Sequence, residues 1–507
     1  NIKKFDYEFF KLSPKEAKFM DPNQRMFLKV AYETIEDAGY TKEDLNNTKT
    51  GVFVGNTAWP LYAQYIVQLQ SDDLSTAMTG NVSSVLASRI SYMMNLKGPS
   101  VVIDTACSSS LVAVHLACQS IINGECEQAI AGGIKLNLFH TEGLVKIGIE
   151  SEDSETRTFD DNADGTVWGE GVAAIFIKPL SKAIKNNDHI YAVIKGSSIN
   201  QDGTTVGIAA PNAKSQEDVI TNAWRNSNID PENIGYVECH GTGTKLGDPI
   251  EVQSLQRAFR KFTKKNDFCA IGSVKPNIGH LDNAAGIVSL IKSALVLENK
   301  KIPPLVNFKN LNNNIDFSNS PCFINTEMLD LKKENNLCGV SAFGLSGTNC
   351  HVVLGSYNNK ASDSQNLSEN IFCISAKSAF SMKKLVKKYL EYLDCNYDVN
   401  IGDLCYTVNA RKNHLKEYRA VLIVSNVDQL KKQLIFLLDD IEVCQGKNFL
   451  DCFQSDRINE NLAKIKDLYL TGNEIDWNEF YKNSNFKKIK VPLYQFDEKD
   501  CWVNVPS

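Results

Sequence analysis

Between Ser100 and Gly124 the chain changes hydrophobic period within a few residues, and this stretch restricts the fold more than any other. Val101–Ile103 is a β-branched run of the kind that fills a buried strand. Asp104-Thr105 closes it, and Cys107 follows with three serines behind it. From Leu111 the apolar residues continue with few charges, which fits a helix buried nearly all round. Asn123-Gly124 ends it as a left-handed cap would. The pattern predicts strand, tight turn and central helix, with Cys107 at the helix N-terminus. Unpaired backbone N–H groups and the helix dipole favour a thiolate there, so the thiol pKa is expected to fall.

Length and composition narrow the function classes. A chain of 507 residues has room for two or three domains, and its apolar fraction of 43% is ordinary for a globular protein. A formal net charge of −6 gives no nucleic-acid footprint. No apolar run is long enough to span a bilayer, and no signal peptide opens the chain. The 14 cysteines are scattered without a CxxC pair, which favours free thiols in a reducing cytoplasm over disulfides or zinc. The Asp-rich loop Thr158–Gly165 lacks the spacing and terminal glutamate of an EF-hand, so it reads as structural.

A lone cysteine is more often a small core residue than a nucleophile. The strings around it decide otherwise. Asp104-Thr-Ala-Cys-Ser-Ser-Ser-Leu111 resembles the nucleophile turn of polyketide β-ketoacyl synthases, a branch of the thiolase superfamily. His240-Gly-Thr-Gly-Thr244 with Leu246-Gly-Asp-Pro-Ile-Glu251 is similar to that family's first histidine motif, with Cys239 where alanine is commoner. Ile271-Gly-Ser-Val-Lys-Pro-Asn-Ile-Gly-His280 resembles the second, with Pro276 where serine or threonine is commoner. Ser341-Ala-Phe-Gly-Leu-Ser-Gly-Thr-Asn349, with His351, is similar to the glycine-rich closing loop. The resemblance covers nearly all of residues 1–355, in the family's order.

The resemblance implies a thiolase-like, duplicated α/β five-layer fold over 1–355, then a small α/β linker domain over 356–450. A terminal strap over 451–507 would wrap back on the first domain. It also implies an apolar strand and glycine turn ahead of Asn1. Cys107 would accept an acyl group from an acyl carrier protein. His240 and His280 would stabilise the enolate of a decarboxylating malonyl unit, and Lys275 would orient the second histidine. The backbone N–H groups of Cys107 and Leu345 would form the oxyanion hole. Thr242 and Thr244 would bind the phosphopantetheine arm, and Phe343 would gate the acyl pocket. No metal and no bound cofactor are expected, since the substrates ride on the carrier's phosphopantetheine. A homodimer is implied, with the small residues Ser83, Ser84, Ala87 and Ser88 near its interface.

Competing chemistries fit less well. A thiolase needs a second catalytic cysteine where this chain has Gly344-Leu-Ser-Gly-Thr. A papain-like hydrolase needs one histidine, and a decarboxylating initiator would carry glutamine in place of Cys107. A non-condensing ketosynthase, serving as a transacylation or docking platform, usually loses the histidine present here as His240. Between the linker unit and the strap there is no room for an acyltransferase, and Ser455 lacks the flanking glycines of a GxSxG turn. A free-standing acyltransferase acting in trans is therefore expected.

Overall fold

The computed structural model describes residues 1–57, 61–68, 74–138, 148–332, 336–359, 367–443 and 460–503. Ser455, and the sequence-expected boundary at 450/451, lie outside these residues.

Two sheets carry the core. The first consists of β1 (Thr50–Gly55), β2 (Ser100–Ile103), β3 (Gln128–Lys135) and β4 (Gly171–Ile177), in spatial order β2-β1-β3-β4. The second adds β5 (Val193–Gln201), β6 (Ile234–Glu238), β7 (Cys269–Gly272), β8 (Cys322–Ile324), β9 (Leu337–Phe343) and β10 (Thr348–Gly355), in order β8-β7-β6-β9-β10-β5. In the first sheet β1 runs parallel to β2 and β3, and β4 is antiparallel to β3. The second repeats this pattern: β6 runs parallel to β7 and β9, and β10 is antiparallel to β9. The duplication inferred from resemblance is therefore visible in strand order and direction alike.

The helices Ser109–Ile122 and Ala285–Asn299 lie back to back between the sheets. Their contact needs a residue without a side chain, because a Cβ on Gly286 would stand 2.7 Å from that of Leu111. Outer helices complete the five layers. Pro22–Asp37 and Ser83–Met94 cover the first sheet, while Ala213–Asn226 and Gly247–Arg260 cover the second. This is the thiolase-like α/β arrangement. Asp21-Pro22 reads from sequence as a helix start and Gly39 as its stop; in the structure Asp21 caps the first of these helices by accepting from Asn23 N–H, and Gly39 lies beyond its end at φ +69°. The stretch Gly80–Tyr92, which reads from sequence as one helix leading to the nucleophile strand, is broken in the structure. Leu74–Asn81 stops where Gly80 packs against Met20, its carbonyl accepting from Asp21 N–H, and Val82 is extended. A tertiary contact overrides local propensity there.

At β4 the first sheet ends in an edge unpaired among the described residues, whereas β5 fills the matching edge of the second. Beside the β4 edge lies a cavity of about 640 Å³, lined by Phe176, Ile190, Leu290 and Ala294 among others.

After Gly355 a two-stranded antiparallel sheet pairs Asn370–Ala376 with Tyr418–Val424. Helices Ala379–Cys395, Ile401–Ala410 and Val427–Val443 pack around it. The tail is less strap-like than the sequence predicts. Glu460–Leu470 is a helix on this sheet, and Tyr469, Trp477, Tyr481 and Phe486 share one core with Ile371 and Cys373. Only the following residues run extended over the ketosynthase-like core, ending where Lys499–Asp500 pairs with Lys4–Phe5. Buried polar contacts hold this last stretch: Glu36 accepts from Tyr494 N–H at 2.8 Å and pairs with Lys412 at 3.1 Å. Both charged side chains are under 10% exposed. Glu36→Ala strands a buried ammonium and an amide, so unfolding free energy is expected to fall by about 3–5 kcal/mol in urea titration. A loss below about 1 kcal/mol would show that solvent replaces the pair.

Candidate active site

Every proposed catalytic side chain sits just beyond the C-terminal end of a strand, in the crevice between the halves. Cys107 follows β2 and is 7% exposed. The turn that lifts it is strained at Ala106, which has φ +53°. Side chains brace this turn. Ser109 Oγ accepts from Thr105 N–H at 2.9 Å, and Asn283 Nδ2 reaches Ser109 Oγ at 3.1 Å and Thr57 Oγ1 at 2.8 Å. Ser108, Ser109 and Ser110 are fully buried, so the serine run is scaffolding.

His240 follows β6. Its peptide N–H and that of Gly241 donate to the two Glu251 oxygens at 2.6 and 2.8 Å. Asp248 accepts from Gly243 and Phe159, and Glu238 from Val274. These buried carboxylates stand in for the ladder partners that a loop leaving a sheet loses. Burial pushes the Asp248 carboxyl up to about 7 and raises that of Glu251 as well. Sequence reading matched Asp248 and Glu251 to a motif without seeing this function; the run of orphaned loop amides was the signal.

His280 follows β7 and is fully buried. Its N–H donates to Val167 O at 2.6 Å, and Trp168 stacks on its ring at 5.3 Å. Its Nδ1 accepts the Asp282 N–H at 2.9 Å, so a neutral ring carries its proton on Nε2. Burial, with Lys275 adding repulsion, holds both histidines well below the ordinary value. They therefore stay neutral and can act as donors. The cysteine sulfur and one nitrogen from each ring all lie within 4.8 Å of one another.

Lys275 is buried, and its ammonium donates to the carbonyl of His240. It thus holds the first histidine's backbone, whereas the resemblance has it orienting the second; its charge reaches the His280 ring as well. Leu345, in the loop between β9 and β10, points its N–H at the Cys107 thiol. Gly344 makes this approach possible, because a Cβ there would stand 2.4 Å from Thr105 O. Phe343 ends β9, 9% exposed, with its ring 6.0 Å from that of His240. Thr242 and Thr244 sit half-buried on the histidine loop, their hydroxyls 3.3 Å apart. His351, quoted in the closing motif, is a core residue, accepting from Trp224 Nε1 at 3.2 Å.

The expected low thiol pKa is contradicted. Burial first, and then the Asp282 charge, push Cys107 up to about 12, outweighing the Leu345 N–H and Lys275. Desolvation beats the helix end because the cysteine lies two residues before the first helical residue, Ser109, and is itself only 7% exposed. Alkylation of Cys107 by iodoacetamide, followed by peptide mass spectrometry, is therefore expected to rise about tenfold per pH unit up to pH 10. A plateau by pH 8 would overturn this. Every cysteine among the described residues is an unpaired thiol.

The comparisons agree along the whole chain. Residues 1–183 match the model of the β-ketoacyl synthase N-terminal domain, and 191–309 that of its C-terminal domain. Residues 370–434 match a CurL-like, PKS C-terminal region. Polyketide synthases PksL and PksM of Bacillus subtilis (strain 168) are 38% and 37% identical over 99% of this chain, which spans 12% and 13% of their length. Among solved structures, the ketosynthase from module 6 of the bacillaene synthase of Bacillus subtilis 168 superposes with TM-score 0.88 at 37% identity. That match covers 100% of this chain and 90% of the other. Ketosynthase twelve from the bacillaene polyketide synthase of Bacillus amyloliquefaciens gives 0.88 at 34%, covering 99% and 88%. On the converging cysteine and histidines, on matched domains that together span most of the chain, and on these structures, the chain belongs to the β-ketoacyl synthase family, as a polyketide synthase ketosynthase.

Proposed function

We propose that this domain extends an acyl chain by decarboxylative Claisen condensation. The single observation that carries the reading is the meeting of one buried thiol with two neutral, buried imidazoles. The thiol holds the acyl group as a thioester. The imidazole N–H groups stabilise the enolate left when carbon dioxide departs, and that enolate attacks the Cys107 thioester. In the same reading, Cys107 and Leu345 N–H groups form the oxyanion hole, and Phe343 gates the acyl chamber. Thr242 and Thr244 hold the phosphopantetheine of an acyl carrier protein. A non-condensing platform is the alternative, and it leaves two desolvated histidines without a task.

The domain division 1–355, 356–450 and 451–507 belongs to this proposal, with the tail helix Glu460–Leu470 counted to the linker unit. So does a homodimer. β2 is an edge strand with Val101 40% exposed, and Ser84 and Ser88 are exposed beside it. No described helix is long and apolar enough to cross a membrane; a cytoplasmic assembly line fed by an acyltransferase in trans is the setting proposed. The test combines the protein with an acyl-carrier protein, malonyl-coenzyme A and a second carrier, with and without a separate acyltransferase. Extension only with the acyltransferase is expected. Acyl transfer onto Cys107 without any new carbon–carbon bond would favour the platform.

A further inference from the structure

Asp282 has been given no role in the chemistry so far, yet it touches Cys107, His280 and Lys135. It stands at φ +46°, a conformation rare for residues with a Cβ and most tolerable for Asp or Asn. Its backbone N–H fixes the His280 tautomer. One carboxylate oxygen accepts from the Cys107 thiol at 3.7 Å, within reach for sulfur. The other pairs with Lys135 at the end of β3, at 3.2 Å, and the Lys135 ammonium in turn lies 5.9 Å from the Trp168 ring.

The thiol must lose its proton to become an acyl acceptor, and the neighbouring groups are poor acceptors. The His280 Nε2 carries a hydrogen once Nδ1 accepts from Asp282. Lys275 is an ammonium bonded to the His240 carbonyl. The Leu345 N–H is a donor. The His240 ring lies within 4.8 Å, but among the described residues no hydrogen bond joins it to the sulfur. Among the described residues, the Asp282 carboxylate is the one side-chain acceptor bonded to the thiol. Because burial leaves little thiolate at neutral pH, attack has to proceed together with proton removal.

We propose that Asp282 is the proton relay of acyl loading. Its carboxylate takes the Cys107 proton as the Sγ–acyl carbon bond forms, and returns it to the phosphopantetheine thiolate as the old carbon–sulfur bond breaks. Atoms balance: thiol plus thioester give thioester plus thiol. Lys135 is a positioning residue that turns one carboxylate oxygen toward the sulfur. The relay rests on the ketosynthase reading and deepens it.

The test compares wild type, Asp282→Asn and Lys135→Met, following acylation of Cys107 by an acyl-pantetheine thioester with mass spectrometry, and alkylation by iodoacetamide in parallel. Asn suits the positive φ, so Asp282→Asn keeps the backbone contact to His280. At pH 7 its acylation is expected to slow by about 10²-fold. Its alkylation should be no slower than wild type, since losing the carboxylate charge eases thiol ionisation. Its acylation should then recover with rising pH more steeply than that of wild type. In this profile Lys135, Lys275 and both histidines are the other charged or titratable groups facing the sulfur. Lys135→Met should lose less. Acylation of Asp282→Asn at the wild-type rate overturns the relay, and so does equal slowing of acylation and alkylation, which would make Asp282 only a prop for the thiol. Should the variants fail to fold, the solvent deuterium isotope effect on wild-type single-turnover loading decides: a normal effect is expected, and none overturns the relay. Wild type that never acylates Cys107 would refute the ketosynthase reading itself, a distinct result.

Discussion

Cys107→Ala is expected to abolish acyl loading, with no acyl mass adduct on the protein, while malonyl thioester decarboxylation persists. In the proposed reaction the two halves of the chemistry use different atoms: the sulfur captures the acyl group, and the imidazoles of His240 and His280, held neutral by burial, face the enolate. His240→Ala should show the reverse, acylating at Cys107 but losing about 10²–10³-fold in condensation, the usual cost of removing one donor from a developing oxyanion. Intact-protein mass spectrometry reads the first step, and carbon dioxide release with product analysis reads the second. Normal carbon–carbon bond formation by His240→Ala would remove the histidine from the mechanism.

The second large effect is expected at Gly344, a residue that touches no substrate in the proposed reaction. A methyl group there would stand 2.4 Å from Thr105 O, 2.9 Å from Ser108 Oγ and 3.0 Å from Thr348 O. Two of these are backbone atoms, so the loop rather than a side chain has to give way. The next peptide N–H belongs to Leu345 and points at the sulfur. Gly344→Ala should therefore cost about 10²-fold or more in acylation through the displaced oxyanion donor. Slow acylation is expected even where thermal melting shows a folded protein. Wild-type acylation rates would show that the Leu345 N–H is not needed.

Much of this was legible in the sequence, for reasons that differ by residue. The buried helix after Cys107 and the capped helix at Asp21 are local, written in period and caps, and both appear with boundaries near those expected. The reactive cysteine and histidines were legible because their glycine-rich turns recur as strings. What the sequence hid depends on meetings across long separations. Asp282 and Cys107 are 175 residues apart, and Lys135 and Asp282 are 147. No period marks such a pair. The thiol's raised pKa was hidden for the same reason, because its burial comes from residues packed on it from afar and not from the turn alone. Likewise Glu460–Leu470 read as part of a strap because the sheet it covers lies far back, at Asn370–Ala376 and Tyr418–Val424.

The repeated strand order has a consequence for how the chemistry is shared. β2 and β7 occupy the same place in their respective halves, and each leads through a turn into a central helix. Cys107 hangs from the first of these turns and His280 from the second. Sulfur and imidazole are thus equivalent positions of a pseudo-dimer, facing one another across its local twofold axis. Lys135 at the end of β3 and Leu345 just past the end of β9 form a second such pair. In the proposed reaction one copy serves covalent capture and the other manages charge on the incoming unit. Cut apart, each half would retain a sheet and a helix to cover it, and neither would retain a reaction.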